Sequence, residues 1–277
     1  MNAPLPTIVI TSKSQTGLGG WRELWAARDL CGFLVWRDWK ARYVQSVLGF
    51  GWAIVPPLFT VGIFTLVFGR LAGVPSNGSP YAVFSMIGVV LFTFFQNAAG
   101  DAASSLAANL GMASKVYFPR LVLPLAAVAS KLIDLFITMV MLGITLLFAR
   151  ATPTLSAFIA MPAAVLIVMF TALGLGLWLA ALSIQYRDVR FAQTYFLQVL
   201  MYVSPVIYSS AEVPAPWRWA YQLNPLAGAI EAARACLLGT ADVPWRGLGV
   251  GALVAFALCA SGVWCFRRAV RVLADVA

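Results

Sequence analysis

The chain alternates long apolar runs with short clusters of charge. A membrane-spanning helix needs ~20 mostly apolar residues, and six runs approach that length, near 49–68, 81–100, 121–149, 156–184, 192–209 and 245–266. The third and fourth are long enough to tilt or to extend beyond the lipid. The fifth is short, and Ser204-Pro205 interrupts it. Ahead of the first run, Trp21, Leu24, Trp25 and Arg28 fall at helical spacing, and Trp36, Trp39 and Tyr43 recur at three and four. Such tryptophans with interleaved arginines predict one or two amphipathic helices at the membrane–water boundary. They act either as a plain anchor or as an interface helix that also touches a cytoplasmic partner. Between the fifth and sixth runs, Pro216-Trp217 can open a short helix. Asn224 is placed to cap a second one, with Pro225 at its first position and Gly239 at its end. This predicts two short helices dipping back into the membrane, where irregular backbone survives only under cover of protein or water.

Composition agrees with lipid as the solvent. Of 277 residues, 61% are hydrophobic and only 10% charged, against roughly 25% charged in soluble domains. The expected architecture is an all-α integral membrane protein. A flexible tail (1–20) precedes an interface-helix region (21–48) and a six-span domain (49–277), within which 210–244 forms the outer helices. The tail is polar and is not expected to be a cleaved signal peptide. With the N-terminus inside, thirteen Lys and Arg fall on the cytoplasmic side and five, Arg70, Arg150, Arg218, Arg234 and Arg246, on the outer side; Lys131 completes the nineteen. The excess of inner Lys and Arg puts both termini in the cytoplasm. The formal charge of +9 is spread over loops rather than gathered in a stripe, so no nucleic-acid partner is expected.

The absence of histidine removes His-based acid–base catalysis and histidine metal ligation. The four cysteines form no CxxC pair, so no metal site and no catalytic residue is expected. Lys131 and Asp134 lie three apart on the third span, about 18 Å deep when counted from Pro119 at ~1.5 Å per residue. Ionisable groups at that depth are functional or mutually neutralising, and no second acidic residue is expected in the membrane interior to complete a proton relay. Tyr195, Gln198 and Tyr202, with Phe191 a turn earlier, line one face of the fifth span; Trp52, Pro56 and Phe59 line the first. Most aromatic stripes serve lipid contact or packing; here rings that stack on sugar C–H faces, together with an amide for hydroxyls, also suit an uncharged carbohydrate path. No GxxxxGK[ST] loop occurs, so if this protein moves cargo using ATP, another subunit must bind the ATP and Mg²⁺. The cytoplasmic stretches 108–120 (Lys115, Tyr117, Arg120) and QYRDVR at 185–190 (Tyr186, Arg187, Asp188, Arg190) have the size to meet such a motor.

The segments LGFGWAIVPPL, SKVYFPRLVLPLAA, QYRDVRFAQTYFLQVLMYVSPVIY and VPAPWRWAYQLNPLAGAIEAARACLLG resemble the permease subunit of ABC polysaccharide exporters. The likeness is to the O-antigen exporter (Wzm) type, with teichoic acid and capsule permeases alongside, and it runs from Trp21 to the C-terminus. It implies a type-2 ABC exporter fold in the bacterial inner membrane, built as a homodimer above two ATPase subunits. It also implies a lipid-linked polysaccharide passing outward through a channel at the dimer interface. The coupling role of 108–120 and 185–190, the sugar-contacting role of the aromatics, and an outer gate over 217–238 (Trp217, Trp219, Tyr221, Asn224, Pro225) follow from the same resemblance. Where that family often has Gln before one proline, this chain has Val55-Pro56-Pro57, which should bend the first span. A membrane enzyme acting on a lipid-linked sugar would call for catalytic acids beyond Asp134. An ion-coupled transporter would call for internal repeats, and the halves do not resemble each other.

Overall fold

The structure is a computed structural model that describes residues 19–276 apart from 45, 77, 114–117 and 187. Lys115, Tyr117, Arg187 and nearly all of the tail therefore lie outside the described residues. Every regular element among the described residues is helical, as a chain in lipid requires when it must satisfy its own backbone groups. Two helices, α1 (Gly19–Ala26) and α2 (Arg28–Tyr43), precede the bundle. The first span, α3 (Gly51–Phe64), carries Pro56 and Pro57 inside it and passes at Thr65–Leu71 into a π-helical stretch. Then come α4 (Tyr81–Ala108), a single turn α5 (Leu110–Ala113), α6 (Val122–Phe148), α7 (Ala157–Gln185) and α8 (Val189–Val203). Two short 3-10 turns lead to α9 (Arg218–Gln222), α10 (Pro225–Leu238) and α11 (Trp245–Val276).

Among the described residues, five helices are long and apolar enough to cross a membrane: Gly51–Leu71, Tyr81–Ala108, Val122–Phe148, Ala157–Gln185 and Trp245–Arg271. The expected sixth is shorter than its apolar run. The helix α8 stops at Val203 after 15 residues, about 22 Å at ~1.5 Å per residue against ~30 Å of hydrocarbon. Ser204 precedes Pro205, and a residue before proline is pushed out of the helical region; Ser204 is extended accordingly. The second span differs in the other direction, since α4 runs two turns beyond Gly100 and takes Asp101 into the helix.

The core is α4, sheathed along most of its length, with α7 and α11 lying parallel beside one another. Glycines set their distances, as small residues do where lipid offers no hydrophobic drive for helix association. A Cβ on Gly174 of α7 would fall 2.7 Å from the Cys259 nitrogen of α11, and one on Gly262 would fall 2.6 Å from the Gly174 carbonyl. Two residues along α7, Gly176 turns to α4, where a Cβ would meet that of Ala102 at 2.6 Å. Gly174→Val should therefore force α7 and α11 apart. We expect a loss of folded protein, with even Gly174→Ala costing about 1–3 kcal/mol as overpacking. Gly143→Ala, where a Cβ meets nothing within 4 Å, is the neutral control. Thermal melting in detergent measures both, and equal melting temperatures for Gly174→Val and wild type would contradict this packing.

One end of the bundle gathers α2, the α4–α6 link and the α7–α8 link; the other gathers the α3–α4 link, the α6–α7 link and the segment after α8. At that second end Thr154 N donates to Cys236 O at 2.9 Å. Gly239, in the left-handed conformation (φ 64), closes α10 against the Thr152 carbonyl. The helix α10 begins inside the bundle, with Pro225 beside Gly251, and runs back along α11 to this end. Its start is the one its local signals predict: Pro225 at the first position, and Asn224 Oδ1 accepting from Leu226 N at 3.0 Å.

Candidate functional site

At the α2 end, four charges and a phenol join three helices. Lys131 Nζ lies 2.9 Å from Asp101 Oδ2 of α4 and 4.0 Å from Asp134 Oδ2. Asp134 in turn accepts from Arg42 Nη1 and, at 2.6 Å, from the Tyr43 hydroxyl, both on α2. Arg42 Nη2 also reaches Ser130 Oγ at 2.9 Å. The pairing expected between Lys131 and Asp134 is thus the looser contact for both residues. Each has a nearer partner on another helix, because α4 extends far enough to present Asp101 and α2 lies close enough to present Arg42. The acidic partner beside Lys131, Asp101, is half exposed and lies in the part of α4 beyond its expected end at Gly100. Burial and then the Asp134 hydrogen bond push the Tyr43 phenol above its ordinary range, which keeps it a donor. Beyond this group, Arg37 of α2 donates to Asn109 Oδ1 at 2.9 Å, pinning the interface helix to the end of α4 as well.

A cavity of about 280 Å³ opens from this network. Its walls include Tyr43, Trp52, Pro56 and Pro57 from α2 and α3, and Thr93, Asn97, Asp134 and Thr138 from α4 and α6. Of the stripes expected to form the path, Trp52 and Pro56 of α3 reach it. Phe59, Phe191, Tyr195, Gln198 and Tyr202 lie instead on open faces of α3 and α8. On α8 only Leu197 is buried, and Tyr195 is 73% exposed. Two long aromatic-bearing helices are therefore uncovered on this chain alone.

At the α2 end, Tyr186, Asp188 and Arg190 are exposed, and Asp188 and Arg190 form no ion pair among the described residues. Asp188 caps α8 only through its backbone, with no side-chain cap bond. Arg120 is half-buried, and its buried Nη1 has no hydrogen-bond partner among the described residues.

At the opposite end, the broken stretch after α8 is held by side chains the sequence had placed elsewhere. Arg234, counted with the outer loops, is buried in the core at 5% exposure. Its guanidinium donates to the carbonyls of Val206 (2.7 Å), Phe84 (3.1 Å) and Tyr208 (3.2 Å) and stacks 3.6 Å from the Phe84 ring centre. The Tyr81 hydroxyl donates to Ile207 O at 2.8 Å, Glu231 accepts from Ser210 N at 2.8 Å, and Asn224 Nδ2 donates to Ser204 Oγ at 3.1 Å. These bonds supply what buried non-helical backbone demands. The only available signal was the i, i+3 spacing of Glu231 and Arg234 on one face of an otherwise apolar helix. Trp217 and Trp219 are exposed, while Tyr221 is half-buried beside Tyr208, its buried hydroxyl making no hydrogen bond among the described residues.

Comparison with known proteins agrees with this architecture. The chain is 27% identical over 202 residues to the O-antigen export system permease protein RfbA of Klebsiella pneumoniae, covering 73% of this chain and 77% of that one. It is 28% identical over 187 residues to RfbA of Myxococcus xanthus, covering 68% and 71%. It is 27% identical over 200 residues to the inner membrane transport permease YadH of Escherichia coli K12, covering 69% and 77%. The profile of ABC-2 type transporters matches residues 29–238, from the interface helix through α10. With that match over most of its length and five membrane-spanning helices, the chain belongs to the ABC-2 type transporter family.

Proposed function

We propose that this chain is the permease subunit of an ATP-driven exporter that moves a lipid-linked, O-antigen-like polysaccharide from the cytoplasm to the periplasm. The observation that carries the reading is the pair of uncovered helices. Polar groups in a membrane bundle normally face its interior, yet Tyr195, Gln198 and Tyr202 of α8 face outward from this chain. A second copy set against α3 and α8 turns that outer face into the wall of a channel. Trp52, Phe59, Phe191 and Tyr195 then offer rings to sugar faces, and Gln198 and Tyr202 offer bonds to hydroxyls. The chain crosses the inner membrane six times with both termini in the cytoplasm, the crossing begun by α8 being completed by 204–209. The α9–α10 pair closes the outer side, with Trp217, Trp219 and Tyr221 toward the exit and Asn224-Pro225 fixing the start of α10. The named relatives in O-antigen export favour that cargo over capsule or teichoic-acid polymers.

Two copies of a cytoplasmic ATPase, binding ATP and Mg²⁺, sit at the α2 end against Lys115, Tyr117, Arg120, Tyr186, Arg187, Asp188 and Arg190. Asp188 and Arg190 form no ion pair among the described residues, which supports this, since such charges remain available to a partner. Asp188 also adds nothing to a topological signal that counts Lys and Arg. The test is to co-express the chain with the ATPase encoded beside it and to measure co-purification and surface polysaccharide. Asp188→Ala/Arg190→Ala is expected to leave insertion and protein level intact while reducing ATPase recovery and export by about tenfold, a loss of ~1.4 kcal/mol in binding. Normal export from that double variant would reduce the segment to a topological marker. Surface polysaccharide unaffected by deletion of the whole gene would refute the exporter reading itself.

A further inference from the structure

The unusual feature of the 280 Å³ cavity is its polar stripe on the most buried span. Thr93 and Asn97 stand four apart on its α4 wall, and Asp101, one turn further along the same face, lies just outside it. Asn97 is exposed into the cavity, and among the described residues neither its amide nor the Thr93 hydroxyl makes a hydrogen bond. An amide left unpaired deep within a spanning helix is costly unless water or a ligand meets it. On the opposite wall, Pro56 and Pro57 carry no N–H, so the Trp52 and Ala53 carbonyls lose their usual i+4 donors.

We infer that this cavity is a vestibule subsite for one uncharged, hydroxyl-rich sugar unit. The inference deepens the exporter reading and rests on it. Three features select the ligand class. The charges beside the cavity cancel, with Arg42 and Lys131 balanced by Asp134 and Asp101, and every one is already engaged. An anion would have to displace a carboxylate from its cation, so a phosphate is disfavoured. The remaining groups mix donors with acceptors: the Asn97 amide, the Thr93 hydroxyl, the freed carbonyls and the outer lone pairs of Asp134. That is the mixture a ring of hydroxyls requires. Trp52, 54% exposed, supplies the flat apolar surface for the sugar's C–H face. The volume holds a single pyranose rather than a chain, so the site grips one unit as the polymer enters beside α2.

The test uses the complete exporter, with Cys31, Cys236, Cys259 and Cys265 replaced by alanine and export retained. Single cysteines are placed at Thr93 and Asn97, with a control at Phe136, which is exposed on the outer face of α6. A small cationic methanethiosulfonate reagent is applied to inverted membrane vesicles. Thr93→Cys and Asn97→Cys are expected to react at least roughly tenfold faster than Phe136→Cys, because only a wet cavity admits the reagent. With ATP hydrolysis blocked in the partner subunit, both should react several-fold more slowly in vesicles from cells that make the polysaccharide. The comparison is with cells lacking its first glycosyltransferase. Asn97→Leu should lower export while ATPase activity persists, and Asn97→Gln should restore it. Slow labelling at both positions would show the cavity to be dry and would overturn the inference. Labelling unchanged by the polymer, in cells whose export still requires the chain, would overturn the sugar site and leave the exporter reading standing. Protection by millimolar inorganic pyrophosphate in place of polymer would assign the cavity to an anion and overturn it equally. Export independent of the chain would remove both.

Discussion

Membranes from cells expressing Arg234→Leu should contain little folded protein, and what can be extracted should melt well below wild type. Removing a buried guanidinium has two opposed effects. It relieves the desolvation of a charge that has no carboxylate within ion-pair distance among the described residues. It also orphans the carbonyls the guanidinium serves. Phe84 O retains its helical donor, but the Val206 and Tyr208 carbonyls lie outside any helix and accept from no other group among the described residues. Leaving the buried Val206 acceptor unsatisfied costs about 1–3 kcal/mol and the part-buried Tyr208 one less, and leucine cannot fill the planar slot between Gly88 and the Phe84 ring in the same shape. Against a total stability of roughly 5–15 kcal/mol, that loss is decisive. Arg234→Lys keeps the charge but offers a compact ammonium for a fork spanning three carbonyls, so it should fall between the two. Fluorescence-detected size exclusion after a temperature series measures all three. A wild-type profile for Arg234→Leu would mean that the stretch after Ser204 is held by something else.

The second large effect concerns Asp134. Asp134→Leu strands Arg42 and the Tyr43 hydroxyl at a site where both partners of the ion pair are about three-quarters buried. Breaking such a pair costs ~3–5 kcal/mol when fully buried, and somewhat less here because some water still reaches it. Lys131→Met should be milder, since it frees Asp101, which is half exposed and can hydrate. The rescue pattern discriminates sharply. Arg42→Met should restore much of the stability lost in Asp134→Leu, whereas Lys131→Met should restore little, because Lys131 belongs chiefly to Asp101. Double-mutant cycles on melting temperature should therefore give a coupling of about 1–3 kcal/mol for Arg42–Asp134 and a smaller one for Lys131–Asp134. The reverse order would return the network to a simple pair within one helix. The Arg42–Asp134 contact also fastens α2 to α6. Variants at either residue that still fold should weaken export more than they weaken ATPase binding.

These cases separate what is local in this chain from what is not. The spans are legible because lipid imposes a length and an apolar composition on each one separately, without reference to its neighbours. The start and end of α10 are legible for a similar reason: Asn224, Pro225 and Gly239 act on backbone within two residues of themselves. The end of α8 at Val203 follows from the steric effect of Pro205 on Ser204, although the apolar run continues to Ser209. The two turns by which α4 outruns its apolar stretch were missed, because nothing in the sequence stops a helix at Gly100 and no proline or capping signal follows closely.

Partners were decided only by the tertiary structure. Lys131 and Asp134 stand three apart, which favours each other by spacing alone, yet Asp101 and Arg42 come nearer because α4 and α2 pack beside α6. Arg234 counts as an outer-loop charge until α10 folds back between α7 and α11 and carries it inward. Asn97 reads as an ordinary polar residue in a long helix until Trp52 and Thr138 enclose the space before it. By itself, the sequence determined five helices long and apolar enough to cross a membrane, where the apolar run of α8 must break and which short motifs cap α10, because those outcomes depend on neighbours along the chain. The tertiary structure decided which charges pair, which carbonyls Arg234 serves and where polar groups face a cavity, because those depend on side chains as many as 150 positions apart meeting at distances of about 3 Å.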